Sequence, residues 1–426
     1  MGITKQAVNG RKNGNGRTPG VRHGGPLAES LKGRVWPRNP DGVVLGDYDN
    51  APWVKEGRVF TRALRMHQQL SEPIPDGESA ITSLVTGGNG KIYGATSGRR
   101  SHLFFYDPSP TGDGVVDIAV LPGVTAVRRA LVAVGTKVYA GASETTDPAG
   151  GAIYYHDTAP DYQDEFRAYR DELRDQRSNL ERLAVPVRGE GIAALVAGPD
   201  GEHLYGLSTV TGTFFRVSVK TGKVWLYGRV SKDATFSRVL VADQAGNVYG
   251  THSLGTLFRY SPVADRVEGL EIRIPTVAGR EFYNQLDSAV YEPVSGLIYG
   301  AGTADGVLFT LNPQTLDVRA LGKVIAEPRV RAMTAALDGT VYGIAGCEDG
   351  MGHLFQYSRV RGELRDLGIM LAASEVWRRG FEFDAACTGL DGTLYFGESE
   401  RDSHLFLYFP PQPVAKPANC HDDIPF

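Results

Sequence analysis

The sequence predicts an all-β fold: a seven-bladed β-propeller with four antiparallel strands per blade, its ring closed by an N-terminal strand. Three observations carry this. One pattern recurs seven times across residues 81–410: an apolar strand, a turn, "YG" or a close variant, a short loop, then "LF-Y-P" or its equivalent. The second-strand tyrosines are Tyr93, Tyr139, Tyr205, Tyr249, Tyr299, Tyr342 and Tyr395. A period near 45 residues with four short strands per unit marks propeller blades. The glycine content, 53 of 426 residues, suits the many tight turns of such a fold.

Taken in order, residues 1–50 are rich in Gly, Asn, Arg and then Pro, and read as an extended arm with little structure of its own. Residues 51–410 form the propeller. The seventh unit has no fourth strand after it, because the chain runs into a Pro-rich tail, 411–426. "RVFTRALRMHQQL" (58–70) is the candidate to complete that blade, since an open ring leaves two bare sheet edges. Third strands carry apolar pairs such as Leu103-Phe104, Phe214-Phe215 and Leu405-Phe406; fourth strands read "VVDIAVLP", "KVWLYGRV" and "ELRDLGIM". Alternation bounded by turn residues is strand evidence. Residues 160–182 carry dense mixed charge, with Phe166, Tyr169 and Leu173 at helical spacing. They are expected to be a helical insertion between the third and fourth strands of blade two.

Bulk chemistry excludes several classes. The net charge of −4 disfavours a polyanion binder, and no nucleic-acid partner is expected, although Arg11, Lys12, Arg17 and Arg22 make the arm locally basic. No apolar run approaches membrane-spanning length, so no membrane partner is expected. The first 26 residues show no apolar core of signal-peptide length, which reads as a soluble cytoplasmic chain; a mature secreted chain would look the same. Cys347, Cys387 and Cys420 make neither a disulfide framework nor a zinc pattern, and the first two read as buried thiols. Nucleophile-elbow, P-loop, H-E-x-x-H and C-x-x-C motifs are missing.

Candidate site residues come from the repeat register. First strands line a propeller's axis and start at the face where ligands usually lie. Eleven residues before the repeat tyrosine stand Thr82, Arg128, Arg238, Arg331 and Asp384; one extra turn residue puts Ala193 and Asp287 there in blades three and five. Arg129, Arg280, Arg329, Arg378 and Arg379 lie in the same loops. Such a ring focuses positive potential and suits a carboxylate or phosphate, or else it plugs the channel with mutual Arg–Asp pairs. Arg99 and Arg100, which no other blade repeats, are candidates for one wall of the anion site.

His102, His353 and His404 share one register position. Strands lie ~4.8 Å apart, which sets equivalent third-strand positions in adjacent blades roughly 15 Å apart. Metal–nitrogen bonds span about 2.0–2.1 Å, so one ion cannot serve all three. These histidines are expected to open third strands and hydrogen-bond locally, and no metal or cofactor is expected. His252, unique to blade four, is a candidate general base or a surface turn histidine. Tyr283 is a candidate general acid or a packing residue. The acidic loop residues Glu348, Asp349, Glu398, Glu400 and Asp402 read as solvated charge.

The unit "YG-T-S-G…LF-Y-P" resembles the tandem repeats of bacterial propellers with "LYGTT…G…GTVF" signatures, repeats that are mostly structural. The arrangement is also distantly similar to seven-bladed propeller polysaccharide lyases acting on uronate-containing glycans. That resemblance implies proton transfer by histidine and tyrosine, here His252 and Tyr283, and neutralisation of a uronate by Arg128, Arg238 and Arg331. The expected functions are therefore three: an axial pocket for an anionic small molecule or uronate saccharide, a lyase cleaving a uronate glycan by β-elimination, or a non-catalytic scaffold whose protein partner engages residues 1–50.

Overall fold

The structure, a computed structural model, describes residues 53–64, 74–109, 114–159, 180–346, 351–373, 377–400 and 403–411. The arm 1–50, nearly all of the tail and residues 160–179 of the expected helical insertion lie outside these.

Among the described residues seven antiparallel blades follow one another, each built in the order first, second, third and fourth strand (a to d), with a short extra hairpin, Leu371–Ala373 paired with Trp377–Arg379, between blades six and seven. Blade one comprises Ala80–Thr86, Ile92–Ser97, His102–Tyr106 and Val115–Val120. Blade two comprises Leu131–Val134, Lys137–Gly141, Ile153–Asp157 and Leu180–Ala184. The a-strands of blades three to seven begin at Ile192, Val241, Leu286, Val330 and Phe383. Blade seven takes its fourth strand, Arg58–Ala63, from the N-terminal side; this strand pairs antiparallel with His404–Phe409, Arg58 opposite Phe409 and Ala63 opposite His404. Upstream, Trp53 bridges to Ile369 of blade six, and the Val54 N–H donates to the Ile369 carbonyl at 3.1 Å. One segment thus closes blade seven and ties it to blade six.

The repeat letters have a packing reason. In blades one, three, four, five and six the glycine after the tyrosine faces the c-strand phenylalanine: Gly94–Phe104, Gly206–Phe215, Gly250–Phe258, Gly300–Phe309 and Gly343–Phe355. A Cβ on Gly94 would stand 2.1 Å from Phe104 Cζ, and one on Gly206 2.3 Å from Phe215 Cζ. The missing side chain is the slot that receives the ring. These phenylalanines are fully buried, and the core is a ring of apolar clusters between neighbouring blades. The "LDGT" turns work as their letters suggest: Asp338 and Asp391 accept the Thr340 and Thr393 N–H groups at 2.9 and 3.0 Å, with Gly339 and Gly392 at φ +81° and +82°.

Leu180, Glu181 and Arg182, expected to be helical, are strand. They pair with His156, Tyr155 and Tyr154, because completing blade two outweighs local helical spacing. The helical elements among the described residues are 3₁₀ turns such as Ser253–Gly255 and Glu281–Tyr283.

Candidate functional site

The axial register rests on a repeated bulge. In blades one, three, five, six and seven the a–b pairing slips by one residue at the start of the a-strand, between Ile81 and Ser83, Ile192 and Ala194, Leu286 and Ser288, Val330 and Ala332, and Phe383 and Ala385. The extra residues are Thr82, Ala193, Asp287, Arg331 and Asp384. A bulged residue is unpaired and its side chain is re-aimed. In blades two and four the strand begins later, and Arg128 and Arg238 precede it.

Thr82, Arg128, Arg129, Arg238, Arg329, Arg331 and Asp384 line one cavity of about 140 Å³. A second cavity of about the same volume shares Thr82, Arg129, Arg331 and Asp384 and extends along the strands to Leu84, Leu131, Leu240, Ala289 and Met333. The two are stacked: the arginines form the mouth, and residues one or two positions further along the strands form the shaft.

Part of this charge is internally paired. Asp287, 1% exposed, holds Arg329 through two hydrogen bonds of 2.9 Å, accepts the Val330 N–H at 3.1 Å, and lies 3.9 Å from Arg129. Arg331 Nη1 reaches Glu382 and Asp384 at 3.4 Å each. Arg128 pairs at the exposed rim with Glu144 at 3.3 Å. The pairing is incomplete. Arg238, exposed at the rim, makes no hydrogen bond or ion pair among the described residues. Arg331 Nε is buried without a hydrogen-bond partner. Removal from water lowers the Arg129 guanidinium pKa, with Asp287 and Asp384 pulling it back up and Arg329 and Arg331 adding to the fall. A guanidinium does not deprotonate in a protein, so Arg129 stays a poorly solvated cation. Its backbone sits at φ +53° and that of Arg329 at +85°. Left-handed backbone costs a non-glycine residue about 1–2 kcal/mol, a cost seen where a side chain is held for function.

Arg128, Arg238, Arg331 and Asp384 therefore meet at the mouth, and Asp287 stands behind it as the anchor of Arg329. Other candidates lie elsewhere. Arg99 and Arg100 do not reach the cavity. Their Nε atoms donate to the buried Glu78 at 3.3 and 3.0 Å. Glu78 also takes His102 Nε2 at 2.9 Å, and His102 Nδ1 lies 2.9 Å from Asp117. Burial alone would lower the His102 pKa; the two carboxylates outweigh it, and the net shift is upward. Glu78 lies in the link between the closing strand and blade one, outside the repeat, and this hid the partner of both arginines. His353 makes the matching pair with Asp366 at 3.0 Å, and His404 stands 3.6 Å from the buried Glu398. All three histidines open c-strands. Their partners are carboxylates of the d-strand, of the end of the b-strand or, for Glu78, of the link before blade one, and Glu398 is thereby a buried acceptor, not a solvated loop charge.

His252 is half-buried at the end of a b-strand. Its ring points outward: Nε2 lies 3.7 Å from where a Cβ on Gly269 of the d-strand would stand. Burial lowers its pKa against the pull of Asp233. Tyr283 is 75% exposed and touches Phe282 edge-on at 5.3 Å, so it does not pack into the core. Neither lines the axial cavities. Arg280 donates to the Ala304 carbonyl and Arg379 lies over the Trp53 ring, both turned from the mouth. Cys387 is buried, its thiol pKa pushed up to about 12; Cys347, Glu348, Asp349 and Asp402 lie outside the described residues. Among the described residues, Asp200, Glu202 and His203 in the a–b turn of blade three have metal-compatible spacing, but Asp200 spends its oxygens on the Glu202 N–H and the His203 ring. No described helix is long and apolar enough to cross a membrane.

No protein-family model matches this chain, and no curated protein matches it by sequence. Solved structures do resemble it. A streptogramin B lyase superposes with a TM-score of 0.58 at 10% identity, covering 84% of this chain and 99% of that one. An extracellular domain ascribed to a one-component system of B. thetaiotaomicron superposes with a TM-score of 0.57 at 12% identity; it covers 83% of this chain, which spans 40% of that protein. An extracellular domain ascribed to a hybrid two-component system of the same organism gives 0.56, also at 12% identity, with 82% and 39% covered. At such identities the likeness is one of fold.

Proposed function

We propose that the protein is a binding propeller whose axial mouth takes a small organic or inorganic anion. The carrying observation is that charge in the mouth is incompletely paired. Arg128, Arg129, Arg238, Arg329 and Arg331 face Asp287, Glu382, Asp384 and the exposed Glu144. Among the described residues Arg331 Nε is buried without a partner, and Arg238, exposed at the mouth, makes no ion pair. Arginine is suited to this work, since its planar fork matches carboxylate and phosphate oxygens. A cavity of about 140 Å³ has room for a few waters' worth of ligand, at ~30 Å³ each. That supports a small anion, or the acid end of a larger molecule such as a uronate, and not a polysaccharide strand threaded along the axis.

β-Elimination requires a base within hydrogen-bond reach of the proton it removes. His252 and Tyr283, the residues assigned that work by resemblance, lie off the cavity wall. Calorimetric titration of acetate and sulfate at low ionic strength tests the proposal. Saturable binding should weaken about ten-fold or more in Arg238→Ala and in Arg331→Ala, the loss expected when a charged hydrogen bond is removed. Unchanged affinity in both variants, or no binding of any anion, would contradict it.

A further inference from the structure

We infer that the anion favoured by the axial site is a small hydroxylated carboxylic acid, selected by Asp384 over inorganic oxyanions and over acids with bare hydrocarbon bodies. This rests on the anion-binding reading above and names the class of ligand for that site.

A carboxylate lining an anion pocket calls for explanation, because it repels the ligand the arginines attract. Asp384 is not consumed by those arginines. Its Oδ1 lies at a loose 3.4 Å from Arg331 Nη1, and Oδ2 makes no hydrogen bond among the described residues. Asp287 differs: it is 1% exposed and filled by Arg329 and the Val330 N–H. Asp384 therefore presents a free acceptor into the cavity beside Arg238 and Arg331. An ionised carboxylate accepts only, so it favours a ligand that brings an O–H together with its negative charge.

The hydroxyls nearby spend their protons on the protein and offer only neutral oxygens, weaker acceptors than the Asp384 carboxylate. Thr82 Oγ1 lies 2.7 Å from Ser97 Oγ and donates to the Val127 carbonyl at 2.7 Å; Ser83 donates to the same carbonyl at 3.0 Å, and Ser288 donates to the Val330 carbonyl. Below the mouth, each a-strand pairs with its b-strand on one side only, and the other edge faces the axis. Where such edges are not bridged blade to blade, as from the Arg129 N–H to the Thr82 carbonyl at 3.2 Å, they present N–H and C=O groups. A hydroxylated body can pair with those groups, whereas a hydrocarbon body covers them and leaves them unsatisfied. Sulfate has no proton to offer Asp384 and no body to reach the shaft.

The test compares gluconate, hexanoate and sulfate by calorimetry on the full chain, with Asp384→Ala and Asp384→Asn beside the wild type. Gluconate and hexanoate share six carbons and one charge. Gluconate should bind the wild type at least about ten-fold more tightly than hexanoate or sulfate, the scale of one charged hydrogen bond plus backbone pairing. That preference should fall to about three-fold or less in Asp384→Ala, while hexanoate binds as well or better once the repulsion is gone. Asp384→Asn, which keeps one acceptor oxygen, should fall between. If all three anions bind the wild type equally, or if Asp384→Ala keeps the full preference, the hydroxy-acid inference is wrong and the anion site stands. If none binds, the anion site itself is wrong.

Discussion

Replacing Asp287 with Asn probes how the mouth is held. The carboxylate is 1% exposed, takes two 2.9 Å hydrogen bonds from Arg329 and one of 3.1 Å from the Val330 N–H, and faces Arg129 at 3.9 Å. Asn keeps the shape and one acceptor. It loses one charge-assisted bond, sets an NH₂ against a donor, and leaves Arg129 and Arg329 without their counter-charge. A hydrogen bond to a charged group contributes about 1.5–3 kcal/mol. Removing one member of a fully buried pair costs about 3–5 kcal/mol, but Arg329 and Arg129 keep 32% and 23% of their side-chain exposure, so water recovers part of this. A loss of about 2–3 kcal/mol follows. Unfolding roughly 320 residues at ~2.1 cal/mol/K each spreads that loss over a Tm drop of about 3–4.5 °C. Differential scanning calorimetry in buffer free of sulfate and phosphate measures it. The response to sulfate separates a stabilising pair from a site-shaping one. With one carboxylate fewer, the mouth is more positive, and sulfate, which stabilises the folded state through binding, should raise the Tm of Asp287→Asn more than that of the wild type. A variant melting within about 1 °C of the wild type, or one that melts lower with no larger response to sulfate, would refute the reasoning.

Other predictions follow the same physics. Gly206→Ala sets a Cβ 2.3 Å from the Phe215 ring and 2.8 Å from the Ala194 carbonyl oxygen; it should cost about 1–3 kcal/mol by overpacking, read as a denaturation midpoint shifted at constant slope. His102 has a raised folded pKa, so its contribution is complete below the ordinary value of about 6.5 and fades as pH rises through the folded value. Glu78, held below the usual carboxylate range, contributes in the opposite sense and is lost only as pH falls through its depressed value. Tm profiles of wild type and His102→Gln should therefore diverge most below the ordinary histidine pKa and draw together as pH rises through the raised folded value; parallel profiles would contradict the assignment. Thr61→Pro, placed opposite Phe406 in the closing pair, locks φ and removes the N–H in the middle of the closing strand. Hydrogen exchange should quicken first in His404–Phe409 and Leu394–Glu398, and a uniform increase across all blades would argue against closure by this strand.

Much of the fold was legible because its determinants are local and repeated. Tyrosine, glycine and phenylalanine recur in register since each blade needs the same slot and ring, and seven such units leave one strand to be supplied from Arg58–Ala63. The a-strand starts were legible for a similar reason: a fixed spacing to the repeat tyrosine lands on the bulged residue in blade after blade. The partners were not. Arg331 meets Glu382, and Arg329 meets Asp287, across blade boundaries that no spacing reveals. Arg99 and Arg100 looked like a wall of the site because Glu78, which takes them both, belongs to a link with no repeat register. Leu180, Glu181 and Arg182 were read into the helical insertion because they continue its dense mixed charge behind Phe166, Tyr169 and Leu173 at helical spacing, while the pairing with Tyr154–His156 that overrides this is made across the insertion.

Anomalous diffraction from crystals grown or soaked with selenate tests the central claim most directly. An anion site at the propeller axis predicts a selenium peak in the mouth within hydrogen-bond distance of Arg238 and Arg331, lost in Arg238→Ala. Selenate seen only at other surface positions, with the mouth holding water alone, would contradict it.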